Sequence, residues 1–307
     1  MHKTRKNTNH TMNILIDKIS SYEFIGLGEA THGNYKNAMF RCKVIQRLIK
    51  KHGIREVILE DDVFTLQRLE NAKGQNLEKY MNELQYCFDN IAMNTLYKYV
   101  FEFNKSNPTD KVRILGVDVQ RYQTDDISDN SELGKLYKVW AKYNISHSKE
   151  SDSHSPRDKA MFEMIHAQHK PGSKAVLIFH NDHLNKSAVH ENMGYFINKS
   201  YPNKYYVVAN TFTSGTYQGL FMPTQKERRL GLKTEFQEIR VDIEDKLYNG
   251  NSPVIKTASY IWEGHGGVDK RNPMRYFYKK SSRGFDLILF INNETPLKPN
   301  KENNIFH

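Results

Sequence analysis

The chain of 307 residues is long enough for one large α/β domain, or two small ones, with a full hydrophobic core. Hydrophobic residues make up 38% of it and aromatic residues 12%, a composition that favours a globular protein and excludes a wholly disordered one. The formal charge is +10, but the basic residues are dispersed and form no block with interleaved aromatics. We therefore expect a solvated, lysine-rich surface rather than a face that binds nucleic acid.

The cellular location follows from what the sequence lacks. No apolar run is long enough to span a membrane, and the basic start, residues 1–7, has no apolar stretch of the signal-peptide kind. The two cysteines, Cys42 and Cys87, lie far apart and outside any Cys-x-x-Cys pair. They are expected to be reduced thiols rather than a disulfide or a zinc site. These features predict a cytoplasmic protein without a membrane partner.

Six short apolar runs have the composition of strands that are buried on both faces of a parallel sheet. They are residues 23–27, 56–59, 112–117, 175–179, 205–209 and 287–291. Helical patterns alternate with them at 36–52, 62–72, 91–103, 131–144 and 157–169. This alternation predicts an α/β fold with a mostly parallel central sheet flanked by helices.

The predicted domain is a single α/β unit over residues 12–297, with flexible ends at 1–11 and 298–307. The helical segments at about 61–111 and 123–171 lie between predicted strands. We expect them to form a reduced helical cap, inserted between strands, rather than ordinary crossovers. Such a cap need not fold separately from the sheet.

Polar side chains follow four successive predicted strands. They are Glu29 and His32 after the first, Glu60 after the second, Asp118 and Gln120 after the third, and His180, Asn181, Asp182 and His183 after the fourth. In open α/β sheets, ligands bind outside the carboxyl ends of the strands, so these side chains are expected to converge in one cleft. Carboxylates and imidazoles at all four strand ends predict a functional site there.

Arg41 is an independent indication of the same site. It falls inside the apolar stripe of the predicted helix 36–52, beside Cys42. A guanidinium that points at the sheet must be paired, because burying an unpaired charge is very costly. Glu29 and Glu60 are the expected partners. The alternative is that Arg41 extends to solvent from the edge of the stripe.

These residues carry a resemblance to a known family. The run Gly28-Glu29-Ala30-Thr31-His32-Gly33 resembles the Gly-Glu-Ala-Thr-His-Gly signature of the erythromycin esterase family, and Arg41 falls where that family carries its arginine. Four further elements resemble family motifs in the same order: Ile58-Leu59-Glu60, Leu115-Gly116-Val117-Asp118-Val119-Gln120, Phe179-His180-Asn181-Asp182-His183 and Arg283-Gly284-Phe285-Asp286. The resemblance spans about residues 22–295, and the ordered set is far more specific than any single motif.

The resemblance implies a carboxylic ester hydrolase. The family includes esterases that open a macrolide lactone with a water activated by the motif histidine. Its antibiotic-hydrolysing members carry a long helical insert where this chain has only 60 positions, between Gln120 and His180. We therefore expect a reduced cap, a cleft that lacks much of a macrolide pocket, and a small-molecule or peptide ester as the substrate.

His32 is the best candidate for a general base, because an imidazole titrates near neutral pH. Glu29 or Glu60 beside it would fix its tautomer and hold the attacking water, while Arg41 or His180 would offset the charge of a tetrahedral intermediate. The sequence has no Gly-x-Ser-x-Gly elbow, which favours direct attack by water over an acyl-serine intermediate. The residues expected to bind substrate or to support the others are His183, Asp118, Gln120 and Asn181.

Three alternatives remain open at this point. A zinc-dependent hydrolase would use His32, Glu60, His180 and His183 as ligands. Against it, the sequence contains no His-Glu-x-x-His helix, and a neighbouring Arg41 would repel a dication. The same cluster also fits a hydrolase that modifies a peptide or a biosynthetic product. A non-catalytic binding module with a basic surface is the alternative of another class. The preferred interpretation requires neither a cofactor nor a metal.

Overall fold

Helices and strands alternate through the first half of the computed structural model, which describes residues 2–72, 75, 77–81, 90–119, 131–142, 155–189, 191–221, 229, 235–248, 253–256, 258–264, 267–268 and 277–297. In these ranges the α-helices are α1 (His2–Ile19), α2 (Tyr35–His52), α3 (Val63–Asn71), α4 (Leu77–Met81), α5 (Ile91–Ser106), α6 (Glu132–Ala141), α7 (Ser155–Gln168), α8 (Asn181–Leu184) and α9 (Met193–Ser200). The strands are β1 (Phe24–Glu29), β2 (Ile54–Asp62), β3 (Arg113–Asp118), β4 (Lys174–His180), β5 (Tyr205–Thr211), β6 (Ser214–Phe221), β7 (Glu235–Asp242), β8 (Val254–Lys256), β9 (Tyr260–Gly264), β10 (Gly267–Val268), β11 (Phe277–Ser281) and β12 (Leu287–Phe290).

A seven-stranded sheet with the order β3-β2-β4-β1-β5-β12-β8 forms the centre of the molecule. Its first six strands are parallel, and β8 pairs antiparallel with β12 at one edge. Each of the six predicted strand runs overlaps one of the parallel strands, so the predicted fold class is confirmed. In the register of β1 and β4, Glu29 lies directly beside His180.

Helices cover both faces of the sheet. Successive side chains of each buried strand point to opposite sides, so each strand contributes to two cores. On β4, Ile178 packs into a core that includes residues of α1, α2 and α5. Its neighbour Leu177 packs into the opposite core, which includes residues of α6, α7 and α9. A strand buried in this way is apolar throughout, which is why the parallel strands are recognisable in the sequence.

Helix α1 was not predicted from the sequence. α1 starts at His2, inside the segment 1–11 for which the sequence predicts a flexible end. Its polar residues have partners on the body of the protein: Thr11 donates a hydrogen bond to the Pro253 carbonyl at 2.7 Å, and Arg47 of α2 donates to Asn9 at 3.1 Å. None of the helices in the described ranges is long and apolar enough to cross a membrane.

Among the described helices within 61–111 and 123–171, α3 and α7 contact the sheet, whereas α4, α5 and α6 pack against other helices. α5 packs against α2, and α7 packs against β3. The cap expected in these two segments stays a prediction, because much of their length lies outside the described residues. Gln120 and Cys87 lie outside them as well. Cys42 is a buried free thiol, and burial raises its pKa to about 12.

Strands β6, β7, β9, β10 and β11 form two small sheets, which we call the C-terminal layer. The layer packs on the loop that follows β1, since Ala30 shares an apolar cluster with Phe212, Tyr217 and Phe277. The backbone of Gln218 in β6 also donates to the Gly33 carbonyl at 3.1 Å. This layer was not predicted from the sequence. It covers part of the edge of the sheet where the polar strand ends lie.

Candidate active site

The loop after β1 is held in place by segments from far along the chain. The Gly33 carbonyl accepts hydrogen bonds from the backbone of Gln218 at 3.1 Å and of Leu297 at 2.8 Å. A side-chain carbon at Gly33 would lie 2.0 Å from the Gln218 carbonyl oxygen, so only glycine fits this approach. The motif glycine therefore fixes the position of the adjacent His32.

His32, Glu29 and Arg41 form one ion-paired group. His32 Nδ1 lies 2.6 Å from Glu29 Oε1, and Arg41 donates to Glu29 Oε2 and, at 3.2 Å, to the Leu27 carbonyl. Burial alone would raise the pKa of Glu29, but Arg41 and His32 hold it below the ordinary carboxyl value. Burial alone would lower the pKa of His32, but Glu29 raises it above the ordinary imidazole value. Glu29 is thus an ionised carboxylate that fixes the His32 tautomer.

Glu60, at the end of β2, belongs to a second group. Its Oε1 lies 3.1 Å from His183 Nε2 and 3.1 Å from an Arg157 amino group. Its Oε2 accepts the backbone N–H of His180 at 3.0 Å. Arg157 also donates to Asp118 Oδ2 at 2.7 Å, so this guanidinium joins the ends of β2 and β3. Glu60 therefore accepts hydrogen bonds from three donors and holds this group together.

His183 lies between two carboxylates. Its Nδ1 is 2.8 Å from Asp158 Oδ1, on the side opposite Glu60. Although burial alone would lower the pKa of His183, Asp158 and Glu60 raise it to about 10. Burial likewise opposes the ionisation of Glu60, but His183, His32 and Arg157 hold its pKa well below the ordinary value. At neutral pH, His183 is therefore an imidazolium and Glu60 a carboxylate.

His180 lies between the two groups. Its ring centre is 5.8 Å from that of His32. Its Nε2 lies 3.3 Å from the Ala30 carbonyl, an acceptor, and its Nδ1 accepts the backbone N–H of Asp182 at 3.4 Å. These contacts require the proton on Nε2. Burial, followed by the electrostatic effect of His32, lowers the pKa of His180 to about 4, so the ring is neutral.

The structure brings most of the predicted residues to one edge of the sheet. Glu29, His32 and Arg41 form the first group, Glu60, His183 and Asp118 belong to the second, and His180 joins them. Of the two partners expected for Arg41, the structure shows Glu29. Asn181 donates to the Asn210 carbonyl at 2.8 Å and to Glu263 at 3.2 Å, and therefore braces β5 and the C-terminal layer.

Three charged residues of this region were missed by the sequence analysis. Arg157 and Asp158 are adjacent in the first turn of α7, where opposite charges at the start of a helix could have been noticed. Lys280 comes from β11 and contacts the Asp182 carboxylate. No sequence pattern points to it, because the C-terminal layer was itself not predicted.

Within the described part of the chain, no group of three or more His, Cys, Asp or Glu residues is arranged to hold a metal ion. The positions around His32 and Glu60 are instead occupied by ion pairs with Arg41, Arg157 and the imidazolium of His183.

The fold and this site define an α/β protein with a histidine–carboxylate cluster at the carboxyl edge of a parallel sheet. A protein from Bacillus cereus shares the fold with a TM-score of 0.69 at 15% identity, covering 96% of this chain and 95% of that one. A succinoglycan biosynthesis protein has a TM-score of 0.69 at 13% identity, covering 97% and 99%. A mutant of the erythromycin esterase EreC, in its open conformation, has a TM-score of 0.60 at 14% identity, covering 93% and 94%.

A model of the erythromycin esterase family matches residues 129–235. No curated protein sequence matches the chain. Over those residues the chain is similar to the erythromycin esterase family, and the three solved structures show that the fold is shared. Such a family suggests hydrolase activity.

Proposed function

We propose that this protein hydrolyses a carboxylic ester, of the lactone or acyl type, with a water activated by His32. The observation that carries the proposal is the pair formed by His32 Nδ1 and Glu29 Oε1 at 2.6 Å. Because Nδ1 is bonded to the carboxylate, Nε2 is the nitrogen that can accept a proton, as in other histidine bases held by a carboxylate. Arg41 keeps Glu29 ionised and in place from inside the fold.

The reaction is a direct attack by water. As the water oxygen bonds to the carbonyl carbon, His32 Nε2 takes its proton, and the carbonyl π electrons move onto the carbonyl oxygen. When the intermediate collapses, the bond to the leaving oxygen breaks, and this oxygen takes the proton from His32. The products are a carboxylic acid and an alcohol.

His180 is the preferred donor to the oxyanion. It is neutral, and the proton on its Nε2 lies on the side of the ring near Ala30, the residue after Glu29. A neutral N–H donor stabilises the developing charge without giving up its proton. Arg41 is less suited to this task, because its contacts are with Glu29 and the Leu27 carbonyl. Glu60, with its three donors, supports the site rather than holding the water.

The test is a panel of small-molecule and peptide esters, screened by mass spectrometry with the wild type and His32→Asn. General-base loss costs about 10²–10⁴ in rate. The variant should show this loss and remain folded, since Arg41 still pairs with Glu29 when His32 is replaced.

The matched control is His10→Asn, which changes an exposed histidine of α1 and should leave turnover unchanged. If His32→Asn is stable and fully active, His32 is not the base and the proposal fails. A wild type that hydrolyses no ester of the panel would favour the binding-module interpretation.

A further inference from the structure

An ion-paired cluster from the C-terminal layer reaches the site next to His180. Lys280 of β11 and Glu263 of β9 are on the same face of their two-stranded sheet, the face towards α8. Lys280 Nζ contacts the Asp182 carboxylate and lies 3.2 Å from Glu263 Oε1. The side chain of Lys280 is 22% exposed, while Glu263 is fully buried. The mechanism proposed above uses none of these three residues.

Asp182 acts on His180 in two opposing ways. Its backbone N–H donates to His180 Nδ1 at 3.4 Å, which requires a lone pair on that nitrogen. Its carboxylate Oδ2 lies 3.9 Å from the same nitrogen, and a nearby carboxylate favours a proton there. The proton position on His180 therefore depends on how much of the Asp182 charge is neutralised by another group.

We propose that Lys280 is a positioning residue that neutralises Asp182 and thereby keeps the proton of His180 on Nε2, the nitrogen that faces the Ala30 carbonyl beside His32. The inference rests on the proposed function for its catalytic meaning, since a proton on Nε2 is what makes His180 an oxyanion donor. It extends the site from the sheet to the C-terminal layer.

The charges around His180 agree with this role. The groups that face it are His32 and Glu29 from β1 and its loop, Glu60 from β2, and His183 and Asp182 from α8. Glu60 and Glu29 favour an imidazolium, so an uncompensated Asp182 would add a third carboxylate. Burial lowers the pKa of Lys280 to about 8 and raises that of Glu263 to about 7. Near neutral pH and below it, the ammonium of Lys280 is therefore available to Asp182.

The experiment is nitrogen-15 NMR of histidine-labelled protein, with the His180 signals assigned by their loss in His180→Asn. In the wild type, His180 should be neutral with its proton on Nε2 and should titrate near pH 4. Lys280→Met should raise this midpoint by roughly one pH unit or more and populate the Nδ1-protonated form.

Three further variants separate this role from a purely structural one. Lys280→Arg should keep the wild-type tautomer, and Lys280→Met with Asp182→Asn should return the midpoint to near the wild-type value. Lys279→Met, on the exposed neighbour, should change nothing. If Lys280→Met does not fold, Lys280→Met with Glu263→Gln removes the buried carboxylate and should show the same shift.

An unchanged tautomer and midpoint in the folded Lys280 variants would overturn the proposal. Because the NMR measurement uses the resting protein, it does not depend on ester turnover. A protein that hydrolyses esters but shows no Lys280 effect rejects this inference alone. A Lys280 effect in a protein without hydrolase activity rejects the proposed function and leaves the proton assignment standing.

Discussion

The three histidines of the site differ in charge because their neighbours differ. His32 has one carboxylate partner and a raised pKa, His183 lies between two carboxylates and titrates at about 10, and buried His180 titrates at about 4. The sequence could indicate all three positions from the strand ends. It could not determine the charge of each histidine, because the groups that set each pKa include Asp158 of α7, which sequence reasoning did not connect to His183.

His183 makes the stability of the protein depend on alkaline pH. Its pKa is about 10 in the fold, above the ordinary value of 6.5, so its ion pairs contribute fully below about pH 6.5. That contribution is lost as the pH rises towards 10. We expect the free energy of unfolding to fall by a few kcal/mol over this window.

Urea unfolding at a series of pH values between 6 and 10.5 measures this dependence. His183→Asn should lower stability at pH 6 and flatten the slope, whereas His10→Asn should keep the wild-type slope. Equal slopes for the wild type and His183→Asn would show that His183 is not charged in the fold.

At the scale of elements, the sequence predicts buried parallel strands well and the C-terminal layer poorly. β1 as far as Gly28, and β4 between its two end residues, carry no polar side chain because both faces are covered, and this pattern is visible without a structure. β7, with the sequence Glu-Phe-Gln-Glu-Ile-Arg-Val-Asp, is buried on one side only, at Ile239 and Val241. Its alternation is short and interrupted by charges, so it is weak evidence for a strand.

At Gly33, the loop that carries His32 packs directly against the backbone of strand β6, and the position of the loop depends on this contact. In Gly33→Ala, the new methyl group would lie 2.0 Å from the Gln218 carbonyl oxygen and 2.6 Å from its nitrogen. Neither backbone atom can move without breaking the hydrogen bond between the loop and β6. We expect a loss of stability of about 1–3 kcal/mol and a large loss of turnover, because the loop carries His32, the proposed base.

Gly172→Ala is the matched control. Gly172 has a φ of 81° and nothing within 4 Å of an added carbon, so alanine there costs only backbone strain, about 1–2 kcal/mol. Thermal melts and ester turnover should show both variants destabilised, with activity lost only in Gly33→Ala. Full activity in Gly33→Ala would mean that the loop tolerates displacement from β6.

At the scale of the whole molecule, the fold is shared with EreC, while the substrate is a separate question. The short segment between Gln120 and His180 predicts a reduced cap, and such a cap would bury less of a large ring. Each Å² of apolar surface that stays exposed forfeits about 25 cal/mol of binding free energy. We therefore expect weak or absent turnover of erythromycin.

This expectation is checked by following erythromycin and small esters in parallel by mass spectrometry, with His32→Asn as the blank. Preference for the small esters would support an open cleft. A Michaelis constant for erythromycin in the low micromolar range, with efficient turnover, would contradict it.

The hydrogen bonds to the Gly33 carbonyl affect the order in which parts of the protein fold during synthesis. The Gly33 carbonyl is bound by Gln218 and Leu297, and the backbone of Tyr35 donates to the Thr295 carbonyl. During synthesis, the strands up to β4 can pair long before residues 295–297 leave the ribosome. Until then, the loop that carries His32 lacks its hydrogen bonds to Thr295 and Leu297, which lie more than 250 residues further along the chain. A nascent chain can therefore hold most of its core while the position of His32 is not yet fixed, so that the proposed activity would be acquired only at the last step of folding.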